Sequence, residues 1–354
     1  MDAVTIRSAE FWEELECHES GDLGGVHFKT SGSTGAAKWI VLSKEALLLS
    51  ARTVNEWLRV DAESVWGLAL PTTHVGGFGV AARAYAAGCG LVVFEGKWDA
   101  KRFAKWVEAE GVTHTSLVPT QVHDLLEARL QGAAALCAVV VGGGRLFDEA
   151  GQAARDAGWP VLASYGTTEA CSQVATQSMD SLTCPFADFA LELLPIWEAE
   201  ETADGLLRLR GDALFAGRVE VGIFRERKGE WFTTSDRAIV SGRTIRLLGR
   251  ADSMVKVMGE LVDVDVVEKR FKEVATGRVR ENGFAVLAMP DERSEHVLVA
   301  VFEGNSVEDC VVDYNWQAAG PERIARWCVF PQFPRSELGK IRKGELREWV
   351  TRNR

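Results

Sequence analysis

Short apolar runs alternate with helical patterns from about Val26 to Ser164 of the 354-residue chain. Runs such as SVWGLAL, GLVVF, THTSLV, AVVVGG and VLAS have the length of buried strands. The segments between them, such as SKEALLLSARTVNEWL and KRFAKWVEAEG, repeat apolar residues at helical spacing. Strand and helix in turn predict a mostly parallel sheet covered on both faces, and therefore an α/β fold with a large layered N-terminal domain.

The pattern changes in the second half of the chain. From about residue 206 to 248, short alternating strands separated by turn residues predict antiparallel pairing, within a small β subdomain at about 190–249. The last hundred or so residues carry their own helix and strand runs, enough for a compact α+β domain. We therefore expect an N-terminal domain at 1–249 and a small C-terminal domain at 250–354.

Composition narrows the classes of function. Apolar residues make up 47% and charged residues 26% of the chain, as in globular proteins, and the net charge of −11 argues against a nucleic-acid-binding surface. The seven cysteines form no CxxC pair, which disfavours a disulfide framework or a zinc site. The N-terminus lacks the layout of a signal peptide and no apolar run has the length of a membrane span, so we expect a cytoplasmic protein.

A Gly/Ser/Thr-rich loop follows the apolar run VHF and precedes a helix that Ser43 is placed to cap. Glycines let backbone N–H groups converge on an anion, hydroxyls add donors, and a lysine supplies charge, so the composition predicts a phosphate-binding loop. It does not match the GxxxxGK[ST] pattern, and a flexible polar turn is the alternative interpretation. The loop residues in question are Thr30, Ser31, Gly32, Ser33, Thr34, Gly35 and Lys38.

A second polar cluster, Tyr165-Gly166-Thr167-Thr168-Glu169, follows the apolar run VLAS. Ligands bind at the carboxyl ends of parallel strands, so this position suits a nucleotide and a metal. Tyr165 offers a stacking face for adenine, Thr168 a phosphate donor and Glu169 a hard oxygen for Mg²⁺. The alternative is an ordinary capped helix start.

Together these motifs make the chain resemble the superfamily of acyl-CoA synthetases, nonribosomal adenylation domains and luciferases. Further segments follow in the order that superfamily shows: PTTHVGGFG, VGGGRL, WFTTSD, LLGRADSMVKVMGE and PRSELGK. The resemblance implies ATP, Mg²⁺ and coenzyme A as the small molecules used, and a C-terminal domain that moves. Two positions depart from the usual pattern, Ser235 in place of glycine and Val264 in place of proline.

The resemblance also implies roles for individual residues. Lys340 would be the catalytic lysine, acting with Thr168 and Glu169, because an ammonium group can stabilise the charge that builds at the α-phosphate. Gly143, Gly144 and Arg145 would line the adenine, and Asp236 and Arg250 would hold the ribose hydroxyls. Asp252 would be the hinge and Gly259 would open the route for the thiol arm.

The acid-binding site is expected beside these motifs. The resemblance places His74 near the acyl group, although a lone histidine is also commonly structural. The phosphate loop begins at residue 30, whereas most of the superfamily has a long segment before it, so the N-terminal domain looks shortened. Short forms occur among o-succinylbenzoate–CoA ligases of menaquinone synthesis, which also resemble the stretch from Tyr165 to Thr176. The candidate substrate residues are His74, Gly77, Phe78, Ser172 and Gln173.

These features predict a Mg·ATP-dependent acid–CoA ligase that works through an acyl-AMP, with o-succinylbenzoate as the expected acid. Alternatives within enzymes are a ligase for another aryl or short acyl acid, and a freestanding adenylation enzyme that loads a carrier-protein thiol. A nucleotide-binding regulatory protein without catalysis is the alternative outside enzymes. The expected partners are small molecules: the carboxylic acid, ATP and coenzyme A. We expect neither a nucleic-acid partner nor a membrane span, and a homo-oligomer is compatible with the sequence.

Overall fold

The computed structural model describes residues 2–14, 25–31, 37–187, 191–280, 282–305, 307–336, 339 and 341–353. Its internal contacts divide the chain into two compact units. The first unit is Met1–Thr234 with Ala238–Leu247, and the second is Ser235–Arg237 with Leu248–Arg354. Each unit is described by itself.

The helices of the first unit are α1 (Ala3–Arg7), α2 (Ala9–Glu14), α3 (Lys44–Trp57), α4 (Val75–Ala87), α5 (Ala100–Ala109), α6 (Pro119–Glu127) and α7 (Asp148–Asp156). Its strands begin with β1 (Val26–Ser31), β2 (Ala37–Leu42), β3 (Val65–Leu68), β4 (Gly90–Val93), β5 (His114–Leu117), β6 (Ala138–Val141) and β7 (Val161–Tyr165). They continue with β8 (Ala175–Thr176), β9 (Leu191–Leu193), β10 (Glu198–Glu201), β11 (Leu206–Arg210), β12 (Gly217–Glu220) and β13 (Ile223–Glu226). Two strands contribute residues to both units, β14 (Trp231–Ser241) and β15 (Thr244–Arg250).

The α/β fold class is confirmed. Strands β3 to β7 alternate with helices α4 to α7 and pair in parallel in the order β4-β3-β5-β6-β7. All four residues of β6 are buried, as an apolar run with helices on both faces requires. The amphipathic helix α5 buries Phe103 and Val107 and is capped by Asp99, whose carboxylate accepts from the N–H of Arg102.

The strand order creates a switch point between β3 and β5. From β3 the chain passes to β4 on one side, and it later returns to β5 on the other side of β3. Connections that diverge in this way leave a crevice at the carboxyl ends of the two strands, where ligands bind in open α/β sheets. The segment after β3 leads into α4 and the segment after β5 leads into α6, so both helices begin at this crevice.

The short strands predicted after residue 190 do not form a sheet of their own. Strands β10, β11, β14, β15, β9 and β8 continue the large sheet beyond β7, while β12 and β13 join β2 and β1 in a separate four-stranded sheet. The β10–β11 and β12–β13 pairs are antiparallel, as predicted. The predicted cap of α3 is also present, since Ser43 Oγ accepts from the N–H of Ala46 at 3.2 Å.

The second unit contains strands β16 (Met254–Val257), β17 (Glu260–Asp263), β18 (Phe284–Asp291), β19 (Glu295–Glu303) and β20 (Ile324–Phe330), and helices α8 (Val264–Ala275), α9 (Glu308–Gln317) and α10 (Lys343–Arg352). Strand β19 pairs antiparallel with β18 and parallel with β20. Phe271 of α8 packs its ring against Phe284, Phe302 and Tyr314, with centroid distances of 5.1, 6.0 and 5.6 Å. Among the described residues of the whole chain, none of the helices has the length and apolar character needed to cross a membrane.

Candidate functional site

The predicted phosphate loop is the connection of the β1–β2 hairpin. Thr30 pairs with Lys38 and Ser31 with Ala37 across the two strands, so the ends of the loop are held side by side. Residues 32–36, which include Gly32, Ser33, Thr34 and Gly35, lie outside the described residues. The Lys38 ammonium is 3.4 Å from Glu220 Oε1 on β12. The hairpin therefore brings together the two ends of the segment that would surround a phosphate.

The second predicted motif turns sharply at the carboxyl end of β7. Tyr165 is the last strand residue and is buried, and Gly166 follows it. A Cβ at residue 166 would lie 1.4 Å from the carbonyl oxygen of Ser172, so only glycine fits this turn. The Thr167 hydroxyl donates to Glu169 Oε2, which orients a partly buried carboxylate at the strand end.

The residues that follow Glu169 are held in a strained turn. Cys171 and Ser172 have backbone φ angles of 51° and 91°, which residues other than glycine rarely adopt. The turn is fixed from outside, because Ser50 Oγ donates to the Cys171 carbonyl at 3.1 Å and the Phe215 N–H donates to the Glu169 carbonyl at 2.8 Å. Strain of this kind persists where the surroundings impose it, often at binding sites. Burial raises the pKa of the Cys171 thiol, which makes a thiolate role unfavourable.

The proposed adenine loop follows β6, the strand next to β7. Gly143 has a φ of 73°, and the exposed segment Gly143-Gly144-Arg145 leads into α7. A Cβ at Gly144 would lie 3.4 Å from Pro119 Cγ at the start of α6, so this loop borders the segment that follows β5. Arg145 stacks its guanidinium over the Phe147 ring at 5.0 Å. The loops after β5, β6 and β7 thus share one edge of the sheet.

The segment PTTHVGGFG enters α4, and its residues serve different purposes. His74 is at the N-cap position but makes no side-chain cap. A Cβ at Gly77 would lie 2.3 Å from the Pro71 carbonyl oxygen, so Gly77 permits close packing of α4 on the end of β3. Phe78 is only 1% exposed and packs against Phe28 at a centroid distance of 5.3 Å. The observed packing is sufficient to explain why Gly77 and Phe78 occupy these positions.

Sequence reasoning missed Arg83, which lies two turns further along α4. Arg83 is 3% exposed. Burial lowers the pKa of its guanidinium to about 10, so the group remains charged at neutral pH. Nη1 donates to Ser116 Oγ on β5 at 3.2 Å, and the group lies 5.3 Å from the Trp66 ring. In the described part of the chain no carboxylate forms an ion pair with Arg83. The sequence did contain a signal of a buried arginine, because Arg83 is the one charged residue in the stretch GVAARAYAA of small and apolar residues.

Arg83 points toward the strained turn after Glu169. A Cβ built at Gly79 would be 3.4 Å from Arg83 Nη2 and 3.8 Å from Ser172 Cβ, so the absence of a side chain at residue 79 leaves space between these two groups. A buried cation without a counter-charge is unfavourable unless a ligand supplies one. The arrangement therefore favours an anionic group bound near Gly79.

Gln173 lies beside the same turn and is 2% exposed. Its amide nitrogen donates to Thr176 Oγ1, which in turn donates to Ser164 Oγ at 3.0 Å. Within the described residues, Gln173 Oε1 is buried without a hydrogen-bond partner. The side chain braces β7 against β8 and leaves one acceptor for a further donor.

Thr168 begins the 3-10 helix Thr168–Ala170 of the first unit, and the other remaining predicted residues belong to the second unit. Arg250 Nη1 lies 3.2 Å from Asp236 Oδ1, so the two residues expected to hold the ribose are neighbours. Asp252 is in the 3-10 helix Ala251–Ser253 that follows β15. Gly259, between β16 and β17, has a φ of 83°, and a Cβ there would meet no atom within 4 Å. Lys340 lies outside the described residues.

The described residues contain no cluster of three or more His, Cys, Asp or Glu side chains that could hold a metal by themselves. Glu169 is one partly buried carboxylate at the sheet edge where phosphates are expected. Mg²⁺ is commonly held by one or two carboxylates together with substrate phosphates and water. The donor set therefore fits a magnesium ion that arrives with a nucleotide.

Comparison with known proteins agrees with this geometry. The chain is 28% identical over 333 residues to 2-succinylbenzoate–CoA ligase of Escherichia coli (strain K12), a match that covers 91% of this chain and 68% of the relative. The Enterococcus faecalis protein of the same name is 26% identical over 360 residues, covering 96% and 72%. A solved structure of an Escherichia coli MenE variant with bound OSB-AMS superposes with a TM-score of 0.76 at 27% identity, covering 93% of this chain and 69% of that one.

The profile of the AMP-binding enzyme family matches residues 23–217, more than half of the chain. The matched part contains the hairpin of the phosphate loop, the parallel strands β3 to β7 and the turn at Gly166. The chain belongs to the AMP-binding enzyme family.

Proposed function

We propose that this protein is a Mg·ATP-dependent acid–CoA ligase that works through an acyl-AMP intermediate, and that its acid is o-succinylbenzoate. Family membership supports the nucleotide chemistry. The two relatives named 2-succinylbenzoate–CoA ligase, each aligned over more than nine-tenths of this chain, support the acid and the thiol. The proposal includes a cytoplasmic setting, where ATP and coenzyme A are both available.

The observation that carries the choice of acid is the buried guanidinium of Arg83. o-Succinylbenzoate has two carboxylates, and only one of them reacts. Arg83 offers donors beside Gly79 and Ser172, and no carboxylate of the described residues forms an ion pair with it. The spare carboxylate would supply the missing counter-charge through hydrogen bonds between charged groups. Benzoate or a fatty acid would leave the cation uncompensated, which is unfavourable in a buried site.

The first half-reaction joins the reacting carboxylate to the α-phosphorus of ATP. A carboxylate oxygen forms the new P–O bond while the bond to the bridging oxygen of pyrophosphate breaks, so the products are acyl-AMP and pyrophosphate. The backbone and hydroxyls of the loop after Thr30 would bind the phosphates, and Lys340 would stabilise the charge that builds at the α-phosphate. Glu169 would hold a magnesium ion together with the phosphates, and that ion would supply further charge neutralisation.

In the second half-reaction the thiol of coenzyme A attacks the acyl carbonyl, forming the thioester and releasing AMP. Asp236 and Arg250 would bind the ribose, and Gly259 would leave room for the thiol arm. We place the ATP- and acid-binding domain at 1–249 and a mobile domain at 250–354, with Asp252 as the hinge. Domain movement of this kind lets one enzyme present different groups to one site in turn.

The test is a pair of assays on the purified full chain. Pyrophosphate should be released when o-succinylbenzoate, ATP and Mg²⁺ are mixed with the protein, and a thioester should appear when coenzyme A is added. Pyrophosphate release without a thioester would replace the CoA ligase with an enzyme that loads another thiol. Nucleotide binding without pyrophosphate release from any acid would contradict the enzymatic proposal.

A further inference from the structure

An open cavity of about 460 Å³ lies beside β12, β13 and the start of β14, within the first unit. Its lining combines four cations and aromatic rings with two carboxylates, those of Glu220 and Glu226. The cations are Arg218, Arg225, Arg227 and Lys228, and Phe215 and Trp231 contribute rings. A concentration of arginines in a chain of net charge −11 requires a local explanation.

Two of these arginines are held opposite each other. Arg218 of β12 pairs directly with Arg225 of β13 across the antiparallel ladder. Side chains that face each other across such a ladder lie close together, and like charges in this position are destabilising. The β12–β13 hairpin would be more stable with a neutral or acidic residue at either position, and an anion bound between the two guanidinium groups would relieve their repulsion.

The negative charge in the lining compensates this cluster only in part, because four cations face the two carboxylates of Glu220 and Glu226. Arg218 Nη1 is 3.9 Å from Glu220 Oε1, but Glu220 is also the partner of Lys38, at 3.4 Å. Arg227 donates from Nε to the Phe215 carbonyl at 2.9 Å and from Nη1 to the Gly229 carbonyl, both uncharged acceptors. In the part of the chain that the structure describes, Arg225 and Lys228 form no ion pair.

The aromatic residues narrow the chemistry of the anion. The Arg218 guanidinium lies 5.5 Å from the Phe215 ring, which is itself buried. The half-buried Trp231 ring, which also contacts the Arg208 and Arg210 guanidinium groups at 4.7 and 5.1 Å, forms part of the same lining. Arginines bind phosphates through forked hydrogen bonds, while flat rings and guanidinium planes stack on nucleobases. Inorganic pyrophosphate would use the charges but not the rings. A phosphorylated nucleotide would use both.

We propose that this cavity binds the phosphorylated nucleotide end of coenzyme A, with Arg218 and Arg225 on its phosphates and the half-buried Trp231 beside its adenine. This assignment rests on the proposed function, which requires coenzyme A as the second substrate. Pyrophosphate shares the phosphate chemistry and is the other source of such an anion, so the experiment separates the two.

The variants for the test are Arg218→Gln, Arg225→Gln and the double variant, which remove charge but keep hydrogen-bonding capacity. Arg52→Gln is the matched control, because Arg52 is an exposed arginine on α3 outside the cavity. Thioester formation is measured with coenzyme A and with dephospho-coenzyme A, and acyl-AMP formation is measured without either. Equilibrium binding of coenzyme A and of pyrophosphate is measured by calorimetry on the same proteins.

Each charged hydrogen bond lost should raise the KM for coenzyme A by about tenfold or more, and the double variant should respond most. The double variant should also discriminate less between coenzyme A and dephospho-coenzyme A. Its rate of acyl-AMP formation should equal that of the wild type, and the Arg52→Gln protein should equal the wild type in every assay. An unchanged KM and unchanged binding of coenzyme A would overturn the proposal. Weakened pyrophosphate binding with normal binding of coenzyme A would also overturn it.

Failure of the proposed function is distinguishable from failure of this site. If the wild-type protein makes no thioester from any acid, the ligase assignment fails, and calorimetry still decides the site. Coenzyme A that binds the wild type and the Arg52→Gln control but binds the double variant at least about tenfold more weakly would support the cavity in that case. Absence of coenzyme A binding to the wild type would overturn it.

Discussion

Gly166 lies so close to Ser172 that a Cβ at residue 166 would be 1.4 Å from the Ser172 carbonyl oxygen. This close approach closes the turn that carries Glu169. The clashing atom would be a backbone oxygen, so no flexible side chain could move aside to make room. Gly166→Ala must therefore shift the turn. We expect AMP and ATP to bind at least about tenfold more weakly, and the free energy of unfolding to fall by about 1–3 kcal/mol.

Gly344→Ala is the control for this change. Gly344 is exposed on α10, and a Cβ there would meet no atom within 4 Å. Alanine should leave nucleotide binding unchanged and raise stability by about 0.4–1 kcal/mol. Calorimetric titration with AMP and urea denaturation measure both quantities. Wild-type AMP affinity in Gly166→Ala would show that the turn does not shape the nucleotide site.

Arg83→Met tests the proposal that Arg83 selects the acid. Methionine keeps much of the length and removes the charge, and replacing a buried charge by an apolar group is commonly neutral or stabilising. We expect kcat/KM for o-succinylbenzoate to fall by about 10- to 150-fold, the equivalent of losing a hydrogen bond to a charged group. The low activity expected with benzoate should not fall and should rise somewhat, because benzoate has no spare carboxylate to lose a contact and no longer leaves a buried cation uncompensated.

The matched control is Arg155→Met in α7. The Arg155 guanidinium is half-buried and bonds mainly to carbonyl oxygens, including that of Val161 at 3.1 Å. Its loss should lower stability without changing the ratio of the two acids. Steady-state kinetics with both acids, together with urea denaturation, checks these outcomes. An equal loss of activity with o-succinylbenzoate and benzoate in Arg83→Met would assign Arg83 a structural role only.

The alternation of strands and helices was enough to predict the parallel sheet from β3 to β7, because each element there is fixed by its own apolar spacing. The order β4-β3-β5 was not predictable in this way, since it depends on which strands meet across the sheet. The strands after residue 190 show the same limit. Their pairing into hairpins is local, but their addition to the large sheet and to β2 is decided by long-range contacts.

The candidate site shows a corresponding division. The position of Tyr165, Gly166 and Glu169 at the end of a strand was predictable, because their motif directly follows an apolar run. Phe78 was assigned to the substrate by its motif, yet packing against Phe28 from a distant strand buries it. Arg83 was missed for the opposite reason. An arginine in a helical pattern normally faces solvent, and only the packing of α4 against β5 reveals that this one is buried beside Ser116.

Asp252→Pro tests the proposed hinge. Proline fixes φ, whereas a hinge has to change its dihedral angles between two arrangements of the domains. We expect thioester formation to be impaired more than acyl-AMP formation. Single-turnover measurements of each half-reaction check the difference. An unimpaired overall rate would place the hinge elsewhere.

Lys340→Ala tests the division of labour between the half-reactions. The ammonium group is needed where charge builds at the α-phosphate, so acyl-AMP formation should be crippled while thioester formation from supplied acyl-AMP is largely spared. Lys105→Ala, which removes an exposed lysine of α5, should affect neither step. Equal loss in both half-reactions of Lys340→Ala would refute this assignment.

We propose that the chain activates o-succinylbenzoate for transfer to coenzyme A. The most direct measurement compares kcat/KM for ATP-dependent thioester formation with o-succinylbenzoate, benzoate and a medium-chain fatty acid. We predict that o-succinylbenzoate exceeds the other two by at least about tenfold, which corresponds to about 1.4 kcal/mol. A higher kcat/KM with benzoate or the fatty acid would contradict the account.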